Sequence, residues 1–204
     1  IDAELDPKTG EWQLTGSKRF ITNGCGEVLL VLARSEDPSK LAGSRGLSFF
    51  VVKKSEHVQV RRIEEKLGIH GSPTCELYFD KAPAKLIGKR GRGLTRYTAW
   101  LMAAARLGVA AQGLGISEAA LREAKTYANG REQFGKKISE MPAVAGMLAD
   151  MQVATEASRA LLYNTSYYVD MLEGAEKFEM KKEMRKYGRA ADLLTPLVKY
   201  YNAE

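Results

Sequence analysis

Cysteine and histidine are nearly missing. Only Cys25, Cys75, His57 and His70 occur in 204 residues, with no CxxC and no Cys/His spacing. Neither a disulfide framework nor a zinc site is indicated, and a reducing, cytoplasmic setting is the expectation. Neither histidine stands in a pattern with Ser, Cys or Asp. HExxH, a Walker loop and a GxGxxG in a strand–turn–helix setting are all absent, so the chain offers no nucleophile and no metal site. The apolar run Val28–Ala33 is far too short to cross a bilayer and no cleavable signal opens the chain, so no membrane partner is expected. Internal repeats and low-complexity tracts are missing as well.

What is present describes a soluble globular chain, 45% hydrophobic and 27% charged. Thirty-one basic residues against 25 acidic give a net charge of +6, and the pI is near 9.2. The excess suggests an anionic partner, either nucleic acid or a phosphorylated cofactor. Lysines and arginines are spread along the chain, which argues against nucleic acid.

Residues 1–88 read as strands and turns. After the turn Asp6–Gly10, the segments Trp12–Thr15, Lys18–Thr22, Val28–Arg34, Leu47–Val52, Val58–Ile63 and Cys75–Phe79 are rich in β-branched and aromatic residues. From Leu94 the period shifts to about 3.6. A helix is expected to Ala128, with Gly130 as its stop and Leu94, Tyr97, Leu101, Ala104, Gly108 and Ala111 on one face. Ala104, Gly108, Ala111 and Gly115 form a smooth stripe against which a backbone, ring or thin chain could lie. A second helix is expected with Ser139 as cap and Pro142 in its first turn, carrying Met147, Met151, Ala154, Ser158, Leu161, Thr165, Tyr168 and Leu172 inward. A third, with Met180, Met184, Tyr187, Ala191, Leu194, Val198 and Tyr201 on its apolar face, should kink or restart near Leu194 because of Pro196. The fold class is α+β, a small antiparallel β-sandwich or barrel (residues 1–90) followed by an antiparallel α-helical bundle (residues 91–204). The basic link Lys89–Gly93 joins them. The chain begins at Ile1 and ends inside a helical pattern, as a piece of a longer protein would.

Five stretches, KRFITNG (18–24), SPTCELYFDKAPA (72–84), AAARLGVAAQGLG (103–115), YANGREQFGKKI (127–138) and MLADM (147–151), occur in an order that resembles the acyl-CoA dehydrogenases. Those flavoproteins oxidise acyl-CoA thioesters to 2-enoyl-CoA. The resemblance implies a middle β domain and part of a C-terminal bundle enclosing the flavin of FAD. It implies that Thr22 bonds the flavin ring, with Phe20 packing where many members have tryptophan. Arg131 and Phe134 match residues that reach the FAD of a neighbouring subunit, which implies a homodimer or homotetramer. Met102, Arg106 and Val109 match positions along the pantetheine channel of the acyl-CoA substrate, and Ser72 and Thr74 a loop near CoA. An electron-transfer flavoprotein or similar acceptor is the implied redox partner.

Two departures qualify the resemblance. Some members carry the catalytic glutamate immediately before the matched arginine, where this chain has Ala105, and Ala103 replaces a polar residue. A methyl group cannot take the substrate's α-proton, so the base is expected beyond Glu204, no catalytic residue is assigned, and this chain by itself is expected to be inactive. An acyl-CoA oxidase and a non-catalytic nucleic-acid-binding relative of the same fold are the alternatives.

Overall fold

A computed structural model describes residues 1–204, the side chain of Trp100 excepted. Two compact units emerge, Ile1–Leu101 and Met102–Glu204.

Six strands build the first: β1 (Asp2–Leu5), β2 (Trp12–Thr22), β3 (Val28–Arg34), β4 (Leu47–Lys53), β5 (Val58–Ile63) and β6 (Thr74–Ile87). Their order is β2-β1-β3-β4-β6-β5, and an added β2–β6 pairing closes the sheet on itself. Pairing is antiparallel except for one parallel pair, Asp2 with Arg34. Alternation does the sorting: Leu29, Val31 and Ala33 turn inward while Val28 and Leu30 stay exposed. Leu14, Phe50, Val52, Leu77 and Phe79 fill the interior, each contributing about 1.5–3 kcal/mol by burial.

Two of the expected strands, Trp12–Thr15 and Lys18–Thr22, are one. Gly16 at φ 129° and register shifts between Leu14 and Gly16 and between Lys18 and Ile21 let a single strand bend where the sequence suggested a break. The expected segment Cys75–Phe79 is only the first part of β6, which runs through Pro83 because β2 and β4 both pair with its second half.

The link Lys89–Gly93 is tied down. Arg90 binds the Glu36 carboxylate and the Ser35 carbonyl oxygen (2.9 Å) and lies 5.1 Å from the Trp12 ring centroid. Gly91 N–H donates to the buried Ser48 hydroxyl at 2.8 Å. A π-helical turn, Gly93–Thr98, follows, and Tyr97 stacks on Phe49 with centroids 6.2 Å apart. These contacts carry the first unit on to Leu101.

The second unit holds α1 (Ala99–Gly130), the two-stranded hairpin β7 (Glu132–Gln133) and β8 (Lys136–Lys137), α2 (Pro142–Lys177) and α3 (Lys181–Tyr201). Lys125 with Gln152 and Glu118 with Arg159 set α1 and α2 antiparallel. Ala110, Leu114, Leu162 and Val198 make the shared core. Pro142 begins α2 as expected, but the cap position is Met141, without a side-chain bond, because Ser139 lies in a preceding 3-10 turn. Gly130 is the last residue of α1 rather than a left-handed stop; the left-handed residues come later, at Phe134 and Gly135. Pro196 lies inside an unbroken α3.

The buried face of α1 differs from the expected one. Ala110, Leu114, Leu121 and Ala128 are buried, while Leu101, Ala104, Gly108, Ala111 and Gly115 are exposed. A Cβ on Gly108 or Gly115 would meet nothing within 4 Å, whereas one on Gly113 would overlap the Asn202 carbonyl oxygen. The close approach exists, on the opposite side of the helix from the stripe. The helix Gly93–Gly130 also holds an 18-residue window (mean hydropathy 1.3) long and apolar enough, by length and composition alone, to cross a membrane, which the shorter Val28–Ala33 run is not.

Candidate functional site

Thr22 closes β2 opposite Thr74, the first residue of β6, and its side chain is exposed. Two residues earlier the strand is irregular. Phe20 is held at φ 58°, with its ring 66% exposed and the Arg19 guanidinium 4.9 Å from the ring centroid. A left-handed conformation at a bulky residue costs about 1–3 kcal/mol. Arg19 is steadied by Glu64 at 3.3 Å and Glu76 at 3.8 Å. Glu64 also accepts from Arg62 at 2.5 Å, and the Arg62 hydrogen bond is the main cause that holds its carboxyl below the usual range.

Ser72 sits in the loop between β5 and β6. Lys66 Nζ donates to the carbonyl oxygens of Ile69 (2.8 Å) and Ser72, and His70 Nε2 meets the Lys66 carbonyl oxygen at 2.6 Å. A hollow of about 440 Å³ opens between Ile63, Lys66, His70, Ser72 and Pro73. Just inside, the Cys75 thiol is fully enclosed. Burial pushes its pKa up, and the neighbouring Cys25 adds to the shift. Thr22 and Thr74 are thus paired at one end of the barrel, with Ser72 in the loop that leads into β6.

In the second unit Met102, Arg106 and Val109 share a face of α1 at spacings of four and three. All three are exposed, as is Ala105 between them. None of the three belongs to the buried cluster of the bundle, although Arg106 stands one helical turn before buried Ala110. Beyond α1, Arg131 N–H donates to the Tyr127 carbonyl oxygen and Ile138 N–H to that of Arg131, both at 2.9 Å. These bonds anchor the β7–β8 hairpin. Its tip is Phe134 (φ 54°) and Gly135 (φ 75°), between paired Gln133 and Lys136. Two positive φ values in a two-residue turn suit Asn-Gly, and a phenylalanine is costly there. The Phe134 ring is 93% exposed.

Two contributors escaped the sequence reading, Arg19 over Phe20 and Lys66 beneath Ser72. Arg19 could have been suspected from its place beside the KRFITNG aromatic. Lys66 gave no signal, because a lysine that captures carbonyl groups looks like any surface lysine. Among the described residues no cluster of His, Cys, Asp and Glu could hold a metal ion.

The model of the acyl-CoA dehydrogenase middle domain matches residues 2–82, and that of the acyl-CoA dehydrogenase C-terminal domain residues 91–191. An acyl-CoA dehydrogenase of Bacillus subtilis is 42% identical over 163 residues, 78% of this chain and 42% of its own length. A glutaryl-CoA dehydrogenase of Desulfococcus multivorans is 38% identical over 192 residues, 92% of this chain and 48% of its own length. The solved butyryl-CoA dehydrogenase of Megasphaera elsdenii superposes with a TM-score of 0.75 at 32% identity, over 96% of this chain and 49% of that one. The chain spans less than half the length of these relatives. With both domain models matched in order along it, the chain belongs to the acyl-CoA dehydrogenase family.

Proposed function

We propose that this chain supplies cofactor and substrate contacts to an FAD-dependent acyl-CoA dehydrogenase, which introduces a double bond between the α and β carbons of an acyl-CoA thioester. Residues 1–90 serve as the middle β domain and residues 91–204 as part of the helical bundle. The apolar run Gly93–Gly130 is a bundle helix in this reading, since the C-terminal domain model matches it.

One observation carries the proposal. Six non-glycine residues have positive φ, and Phe20 and Phe134, both assigned to FAD from the resemblance, are two of them. Aromatic residues held outward at a conformational cost and largely exposed, Phe20 with only Arg19 over its ring, suit stacking on a flat ligand. The exposed Thr22 hydroxyl suits a flavin ring atom, and the exposed Arg131 guanidinium suits a pyrophosphate, to which it donates in two directions. When bound, FAD supplies a hydride acceptor. Thr22 would orient it and stabilise charge developing on the ring. Met102, Arg106 and Val109 would line the thioester's pantetheine arm, and Ser72 and Thr74 would meet CoA. Ala105 moves no proton, so the base lies on residues outside this chain and the 204 residues alone are silent.

Arg131 and Phe134 reach a neighbouring subunit's FAD, so a homodimer or homotetramer is part of the proposal. So are an electron-transfer flavoprotein or similar acceptor and a cytoplasmic location, in keeping with two free cysteines. The test is FAD titration followed by flavin fluorescence in the longer protein. Arg131→Ala and Thr22→Val should each weaken binding at least tenfold with the fold intact. Unchanged affinity in both would remove the assignment. Reduction of an artificial electron acceptor by the 204-residue chain with FAD and an acyl-CoA would overturn its silence.

A further inference from the structure

Residues 64–73, the loop between β5 and β6, close on one side chain. Lys66 Nζ donates to the carbonyl oxygens of Ile69 (2.8 Å) and Ser72, and His70 Nε2 donates to the carbonyl oxygen of Lys66 at 2.6 Å. Ile69 is left-handed at φ 55°, a costly conformation for a β-branched residue, and its carbonyl oxygen also accepts from the Ser72 N–H at 3.2 Å. A lysine in a Glu-Glu-Lys run would ordinarily pair with a carboxylate. Here Glu64 binds Arg19 and Arg62, and among the described residues Lys66 forms no ion pair. Its ammonium turns to carbonyl groups instead.

Three consecutive carbonyl groups lead from this loop into β6, each held by a different donor. That of Ser72 accepts from Lys66, that of Pro73 from the Asn23 N–H at 2.7 Å, and that of Thr74 from the Glu64 N–H at 2.7 Å. The last two are backbone bonds, and they keep Thr74 opposite Thr22 whatever side chain stands at position 66. Only Ser72 is held by a side chain. An ammonium, with three donors and no acceptor, suits a turn whose carbonyl groups gather on one side, and bonds from a charged donor are the stronger kind. All of these bonds lie inside the β unit, so they do not depend on which of its faces the longer protein covers.

We infer that Lys66 is a positioning residue for CoA: by fixing the Ser72 carbonyl group and the left-handed Ile69, it holds Ser72 in the conformation that meets the substrate's CoA portion. The inference rests on the proposed contact of Ser72 and Thr74 with CoA, and adds the group that makes their loop rigid before substrate arrives. Such preorganisation acts on affinity, because less ordering entropy is lost on binding. It leaves the chemical step alone, since the reacting carbons belong to the acyl chain. Thr22 keeps its place through backbone bonds, so the CoA contact is separable from the flavin contact.

Titration of coenzyme A itself into the FAD-loaded longer protein tests this, since that probe does not depend on the acyl chain. Lys66→Met removes the donors at similar length and should raise the Kd for coenzyme A about tenfold, with FAD affinity unchanged. With an acyl-CoA that bleaches the flavin, the same substitution should raise KM and leave kcat nearly as it was, the pattern of binding lost equally from ground and transition states. Lys66→Arg keeps charge and donors and should keep most of the affinity. Adding Ile69→Gly to Lys66→Met relieves the left-handed cost, and should restore the melting temperature without restoring coenzyme A affinity. Recovered affinity in that double variant, an unchanged Kd in Lys66→Met, or FAD affinity falling in step with it would each overturn the proposal. Ser72→Ala tells its failure from failure of the CoA assignment. A raised Kd in Ser72→Ala beside an unchanged one in Lys66→Met removes only the role of Lys66, and an unchanged Kd in both removes the loop's contact with CoA as well.

Discussion

Gly108 and Gly113 lie five residues apart on α1 and differ in what surrounds them. A methyl group at Gly113 would press on the Asn202 backbone where the end of α3 meets α1, beside the bond from Asn202 Nδ2 to the Ala110 carbonyl oxygen (3.1 Å). Gly113→Ala should cost about 1–3 kcal/mol, read as a lower denaturant midpoint. Gly108 has open space, so Gly108→Ala should stabilise the helix by up to about 1 kcal/mol. The same methyl would fall on the stripe of Ala104, Ala111 and Gly115, away from the face shared by Met102, Arg106 and Val109. Cys75 makes a pH prediction. Its thiol pKa is raised above the ordinary 9.0, mainly by burial, so the folded state keeps a proton that the unfolded chain gives up. Its stabilising contribution is complete below about pH 9 and is lost as pH rises through the folded value. Urea midpoints measured from pH 8 to 10 should fall less steeply in Cys75→Ala than in the parent.

At the scale of elements, α3 gives the clearest expectation. Pro196 removes one backbone hydrogen bond from an otherwise continuous helix, and Thr195 Oγ1 is turned back onto the Ala191 carbonyl oxygen at 2.6 Å. Pro196→Ala should therefore stabilise the bundle by about 1–2 kcal/mol, below the intrinsic helix penalty because the unfolded chain regains freedom. A lower melting temperature would show instead that the proline sets a bend the packing needs. Sequence legibility varied from element to element for physical reasons. Val28–Arg34 and Val58–Ile63 were readable to the residue, since β-branched runs there are bounded by turns. The length of β6 was not, because Asp80-Lys81-Ala82-Pro83 has poor strand propensity and is held by its partners β2 and β4. On α1 the period was legible and the phase was not. Alanine, glycine and leucine occur all round the helix, so its buried face is chosen by Leu162 on α2, Val198 on α3 and Asn202 just past the end of α3, all far along the chain. Candidate site residues were legible only as motif matches. The left-handed backbone at Phe20 and Phe134 and the support from Arg19 and Lys66 come from tertiary contacts.

For the whole molecule, the central claim is that a chain with alanine at position 105 contributes through binding. Its two units each present exposed, conformationally costly aromatic residues beside polar groups, and both belong to domains of one enzyme family. Such a division of labour predicts that acyl-CoA chemistry needs the longer protein, and that these residues govern affinity and orientation more than proton transfer. The most direct test is the visible absorption of that longer protein after purification with FAD, before and after anaerobic addition of short-chain acyl-CoAs. A flavin spectrum that bleaches with at least one acyl-CoA, and more weakly in Thr22→Val, is the predicted result. Absence of a flavin spectrum, or a bound flavin that no acyl-CoA bleaches, would contradict it.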